Sequence, residues 1–80
     1  MALTIIYLLN RTLGRAMEGY NVQLLWLCEG DKPIVFESYS NHLGQAIVSH
    51  PFHGKVKILV DGEDYGFMET PGVHTVIMEE

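Results

Sequence analysis

Leu3, Ile5, Tyr7 and Leu9 alternate with Thr4, Ile6 and Leu8 near the start of the chain, a two-residue period that predicts a strand over residues 3–9. A helix running on to Met17 competes with it, because Ile6, Leu9, Leu13 and Ala16 recur at helical spacing; Gly14 and the β-branched pair Ile5 and Ile6 disfavour that helix. The alternation is cleaner over residues 20–28, where Tyr20, Val22, Leu24, Trp26 and Cys28 share one face and Asn21, Gln23, Leu25 and Leu27 the other. Glu29, Gly30, Asp31 and Lys32 read as a turn. Pro33 then opens a strand to residue 39, with Ile34 and Phe36 facing one way and Val35, Glu37 and Tyr39 the other. Strands 20–28 and 33–39 are expected to pair as an antiparallel hairpin.

Ser40 or Asn41 can cap the first free amides of a helix, Leu43, Ala46 and Ile47 supply an apolar stripe, and Pro51 stops it after about ten residues. Residues 55–60 alternate again with Val56, Ile58 and Val60 inward, Asp61 and Gly62 mark a tight turn, and residues 65–68 return as the partner. After a turn at Thr70, Pro71 and Gly72, residues 73–78 form a last strand, with Val73, Thr75 and Ile77 opposite His74, Val76 and Met78. The expectation is one small α+β domain over residues 1–80, a mostly antiparallel sheet with one short α-helix in the order β-β-β-α-β-β-β. Six strands at about 4.8 Å make a sheet about 24 Å across, and a helix is only about 10–12 Å wide. One helix cannot cover such a sheet, and Ile6, Leu8, Leu25, Leu27, Val76 and Met78 place apolar side chains on its other side. Either the sheet curls on itself or a second chain covers what remains.

Composition sharpens this. The chain is 48% hydrophobic, which excludes disorder and is apolar for a domain that buries only about 60% of its unfolded surface. A single cysteine, Cys28, forbids an internal disulfide and points to a reducing, cytoplasmic setting. The apolar run at the N-terminus is interrupted by Asn10 and Arg11 and lacks a basic flank, so neither a signal peptide nor a membrane span is expected. The glycosylation pattern Asn10-Arg11-Thr12 is read as chance.

Charge is segregated. All five basic residues, Arg11, Arg15, Lys32, Lys55 and Lys57, lie in the first 57 positions with four acids, whereas Asp61, Glu63, Asp64, Glu69, Glu79 and Glu80 follow without a base. The net charge of −5 opposes nucleic-acid binding, which depends on neutralising several phosphates. It favours instead a protein partner with a basic surface.

Catalytic and metal chemistry find little support. His50 and His53 stand three apart beside the expected helix end, with His42 and His74 elsewhere, but no cysteine pair or helical histidine pair completes a zinc set. Their simpler reading is that His50 complements the helix C-terminus and His53 begins a turn. Asp61, Glu63 and Asp64 fail the spacing of a calcium loop, because Tyr65 stands where a ligand belongs and position 72 is glycine. Cys28, Ser38, Ser40 and Ser49 sit in no nucleophile frame, and no phosphate-cradling glycine loop is present. No cofactor is expected.

In size and charge alone the chain resembles small acidic phage inhibitors, anti-CRISPR proteins among them. The charge segregation, the missing catalytic frame and the surplus apolar sheet lead to the expectation of a non-enzymatic module that docks an acidic surface on the basic nucleic-acid-binding groove of a host protein complex. The likeness, being one of size and charge, adds no residue-level assignment. The candidate contacts are the carboxylates Asp61, Glu63, Asp64 and Glu69 and the aromatic side chains Tyr39 and Phe67. The alternatives are a homo-oligomeric structural or regulatory subunit, as a homodimer through an uncovered sheet face or the edge strand 73–78, and a small metal-dependent enzyme using His50 and His53.

Overall fold

A computed structural model describes residues 2–12, 14–27 and 32–78. Eight strands succeed one another: β1 (Ala2–Asn10), β2 (Arg15–Ala16), β3 (Asn21–Trp26), β4 (Ile34–Tyr39), β5 (Gln45–His50), β6 (Gly54–Val60), β7 (Glu63–Thr70) and β8 (Gly72–Met78). The described residues contain no helix, so the α+β expectation is overturned and the fold is all-β.

The expected helix fails at its first turn. Asn41 does accept amide hydrogen bonds as a cap would, from Leu43 N–H at 2.9 Å and Gln45 N–H at 3.0 Å. Gly44 then takes φ +77°, which turns the chain back as β5 instead of continuing a helix. From there Ala46, Val48 and His50 point inward and Ile47 and Ser49 outward, a two-residue period that the spacing of Leu43, Ala46 and Ile47 conceals. The N-terminal segment, by contrast, is the strand β1 and not its helical competitor.

The strands form two sheets. In the first, β1 is central. It pairs antiparallel with β5 over Ala2 to Tyr7 and with β2 at Leu9 and Asn10 along one edge, and parallel with β8 over Thr4 to Asn10 along the other. The second runs β4-β3-β6-β7, and its β3–β4 and β6–β7 pairs are the two hairpins expected from the alternation. In the second hairpin Lys57 faces Phe67 but Leu59 faces Asp64, so β7 carries an extra residue, a bulge accommodated at Gly66 with φ +93°.

Ile6, Leu8, Ala46, Val48, Val76 and Met78 from the first sheet meet Val22, Leu24, Trp26, Val56, Ile58, Val60 and Met68 from the second in one core. The excess apolar sheet is thus partly covered by dividing into two layers. The corner between them is clipped by backbone bonds of Gly19 and Ser40 (2.8 Å between Gly19 N–H and Ser40 C=O, 2.9 Å between Ser40 N–H and Tyr20 C=O).

Candidate interaction surface

What the two-layer core leaves outside is uneven. The outer face of the second sheet is mixed: Leu25, Val35, Tyr39, Leu59 and Phe67 lie among Asn21, Gln23, Glu37, Lys55 and Lys57, and Glu37 accepts from both Asn21 and Gln23. On the outer face of the first sheet, β1 contributes Leu3, Ile5, Tyr7 and Leu9, β5 contributes Gln45, Ile47 and Ser49, and β8 contributes Val73, Thr75 and Ile77. Register places them side by side: Ile5 lies between Ile47 and Val73, Tyr7 between Gln45 and Thr75, and Leu9 beside Ile77. Gln45 Nε2 donates to Tyr7 Oη at 3.0 Å across two of these strands. None of the ten positions carries a charge, while Leu3 is 58% exposed, Ile47 45%, Val73 65% and Ile77 48%.

The face continues into a cleft of about 490 Å³ lined by Leu9, Asn10, Arg11, Gly14 and Ile77. It belongs to the same surface, since Leu9 and Ile77 are shared by both.

The acidic residues expected to make the site are brought onto one hairpin and are all exposed, and Asp61, Glu63 and Asp64 are engaged by neighbours. Asp61, in a left-handed conformation at φ 49°, accepts from Asn21 N–H at 2.9 Å and ties the β6–β7 turn to β3. Glu63 accepts from the Tyr65 hydroxyl at 3.3 Å. Asp64 accepts from Gly66 N–H at 2.7 Å and pairs with Lys57 Nζ at 3.3 Å. That backbone bond first, and Lys57 after it, hold the Asp64 carboxyl below its ordinary pKa. Glu69 stands opposite Lys55 in the ladder. Phe67, 48% exposed, lies under both lysines, with Lys55 Nζ 4.8 Å and Lys57 Nζ 5.5 Å from its ring centre. Tyr39 is 65% exposed on β4, at the opposite edge of the sheet from Phe67, so the two aromatic residues do not form one anchor.

His50 is not at a helix end. It is fully buried, with Nε2 2.6 Å from Thr4 Oγ1, Nδ1 2.8 Å from the Phe52 carbonyl oxygen, and its ring 4.8 Å from that of Trp26. Both ring nitrogens are occupied, which leaves no lone pair for a metal, and His53 is exposed in the following loop. Among the described residues no three histidine, cysteine, aspartate or glutamate side chains gather as a metal set. The expectations placed on Cys28, on the turn from Glu29 to Asp31 and on Glu79 and Glu80 lie outside the described residues.

The sequence names none of the outer-face residues of β1 and β5 as a site, although it offers the edge strand 73–78, which carries Val73, Thr75 and Ile77, as a self-pairing surface. Their signal was the apolar character of both phases of β1 and β8. Among the described residues no helix is long and apolar enough to cross a membrane. Comparison with protein families, with curated proteins and with solved structures found no match.

Proposed function

We propose that this protein is a non-enzymatic module that acts by associating with protein through the outer face of its first sheet, and that the occupant of that face is a second copy of the same chain. The observation that carries the reading is the absence of charge from all ten positions of that face in a chain of net charge −5. Two anionic copies repel each other over most of their surfaces, and this face is where they meet without opposing carboxylates. Five of the ten, Leu3, Leu9, Ile47, Val73 and Ile77, are large apolar side chains left 37–65% exposed, adjoining one another as the centre of a standard interface requires. Burying the exposed halves of Leu3, Ile47, Val73 and Ile77 contributes about 1 kcal/mol apiece on each side.

Light scattering after size exclusion tests this directly. The native chain is expected to exceed its 9.0 kDa monomer mass at micromolar concentration, and Ile47→Lys is expected to lower that mass without altering the circular dichroism. A native chain that stays at monomer mass, or an Ile47→Lys variant with unchanged mass, overturns the reading.

A second reading has one observation behind it: the four carboxylates of the β6–β7 hairpin are all exposed. A basic protein, such as nucleic-acid machinery, could meet them, although Lys55 and Lys57 offset part of their charge. In that case a variant carrying Asp61→Asn, Glu63→Gln, Asp64→Asn and Glu69→Gln loses the basic proteins that the native chain retains from host extract. Identical recovery by both chains excludes it.

A further inference from the structure

We infer that the chain also pairs with a copy of itself along the free edge of β8, antiparallel, about a two-fold axis at Thr75. This rests on the self-association proposed above but uses the edge of the first sheet, where that reading uses its face.

The sheet edges are not equally open. Edge strands expose unpaired N–H and C=O groups, and proteins blunt them with charge, bulges or coverage. β7 carries Glu63, Asp64 and Glu69 and the bulge at Gly66. β4 carries Glu37, and β4 and β5 approach each other at the corner between the sheets. β8 has none of these protections. It pairs with β1 without interruption from Gly72 to Met78, contains no proline, carries no ionisable side chain except His74, and has no strand on its other side among the described residues.

The strand is also complementary to itself. Its midpoint is Thr75, so an antiparallel copy in the register of fullest overlap sets Thr75 against Thr75 of the partner subunit and Val73 against Ile77 of the partner subunit. Both apolar contacts then fall on the outer face, and the threonines at the axis are a favourable cross-strand pair. Within Gly72 to Met78 no like charges are brought together. The product is one continuous sheet in the order β5-β1-β8-β8-β1-β5, in which the two apolar outer faces become one.

The symmetry of the two contacts is compatible. An antiparallel edge contact has its two-fold axis normal to the sheet, and a face-to-face contact has its axis within the sheet plane. Two perpendicular two-folds that intersect generate a closed tetramer.

Amide hydrogen exchange followed by NMR over a dilution series separates the two contacts. In the native chain and in Ile47→Lys alike, alternate amides of β8, those directed away from β1, are expected to gain protection of roughly tenfold or more as concentration rises. Ile47→Lys is expected to fall from four times the chain mass to twice. If the native chain associates but these amides exchange at the same rate at every concentration, the edge pairing is overturned and the face reading stands. If protection rises with concentration and Ile47→Lys has the mass of the native chain, the edge pairing stands and the face reading falls. A native chain that is monomeric throughout overturns both.

Discussion

His50 sits at 0% exposure with each ring nitrogen engaged by a partner from another part of the core or the following loop. The Phe52 carbonyl can only accept, so Nδ1–H donates to it, and Nε2 pairs with the Thr4 hydroxyl, which can serve as donor or acceptor. Replacing Thr4, itself at 0% exposure, with the near-isosteric valine keeps the volume and strands Nε2 in the core. Thr4→Val is expected to lower stability by about 1–3 kcal/mol, seen as a lower urea midpoint at unchanged slope. An unchanged midpoint would show that the pair contributes nothing. At this scale the sequence was legible where one phase of a strand is clearly more polar: Val22, Leu24 and Trp26 face inward as the alternation over residues 20–28 indicates. It was not legible in β1, where Ile6 and Leu8 are buried and Leu3 is exposed although both phases are apolar. The polar residues Thr4 and Asn10, which the eye assigns to solvent, are on the buried side. The partner of Thr4, His50, comes from a distant segment, and no local pattern announces it.

Gly44 decides the element that the sequence most clearly misrepresented. A Cβ at this position would lie 2.7 Å from the Leu8 carbonyl oxygen and 3.0 Å from Ala16 Cβ, in a left-handed backbone that side chains disfavour. The same Gly44 carbonyl accepts from Leu8 N–H at 2.8 Å, so the turn is fastened against β1. Gly19, at φ +85°, shares the backbone strain but has nothing within 4 Å. Gly19→Ala should therefore cost about 1–3 kcal/mol from conformation alone, and Gly44→Ala more, by displacing the turn from β1. Equal losses in the two variants would rule out crowding as the reason for glycine at 44. The hairpins were legible because the alternation of their strands frames the Asp61–Gly62 turn and the reversal after residue 28, and both pairings are local. Residues 40–50 were not, because a turn capped by Asn41 and a helix start begin with the same amide hydrogen bonds.

On the scale of the molecule, six strands over one helix gave way to eight strands in two layers among the described residues, and the surplus apolar surface was reduced, not removed. The sequence disclosed that surplus and named both remedies, a folded-over sheet and a second chain. It did not disclose the partition, because the pairing that organises the first sheet joins the two ends of the described chain. Thr4 lies beside Gly72 and Asn10 beside Met78. That parallel pairing also sets an order of events on the ribosome. The side of β1 that β8 will cover emerges about 70 residues before its partner, a delay of about 4–14 s at 5–20 residues per second. Throughout that interval neighbouring ribosomes on one message each display the same uncovered strand. The self-association proposed above would therefore have its earliest opportunity before any copy has finished folding, with assembly during translation a competitor of the intramolecular closure that β8 provides.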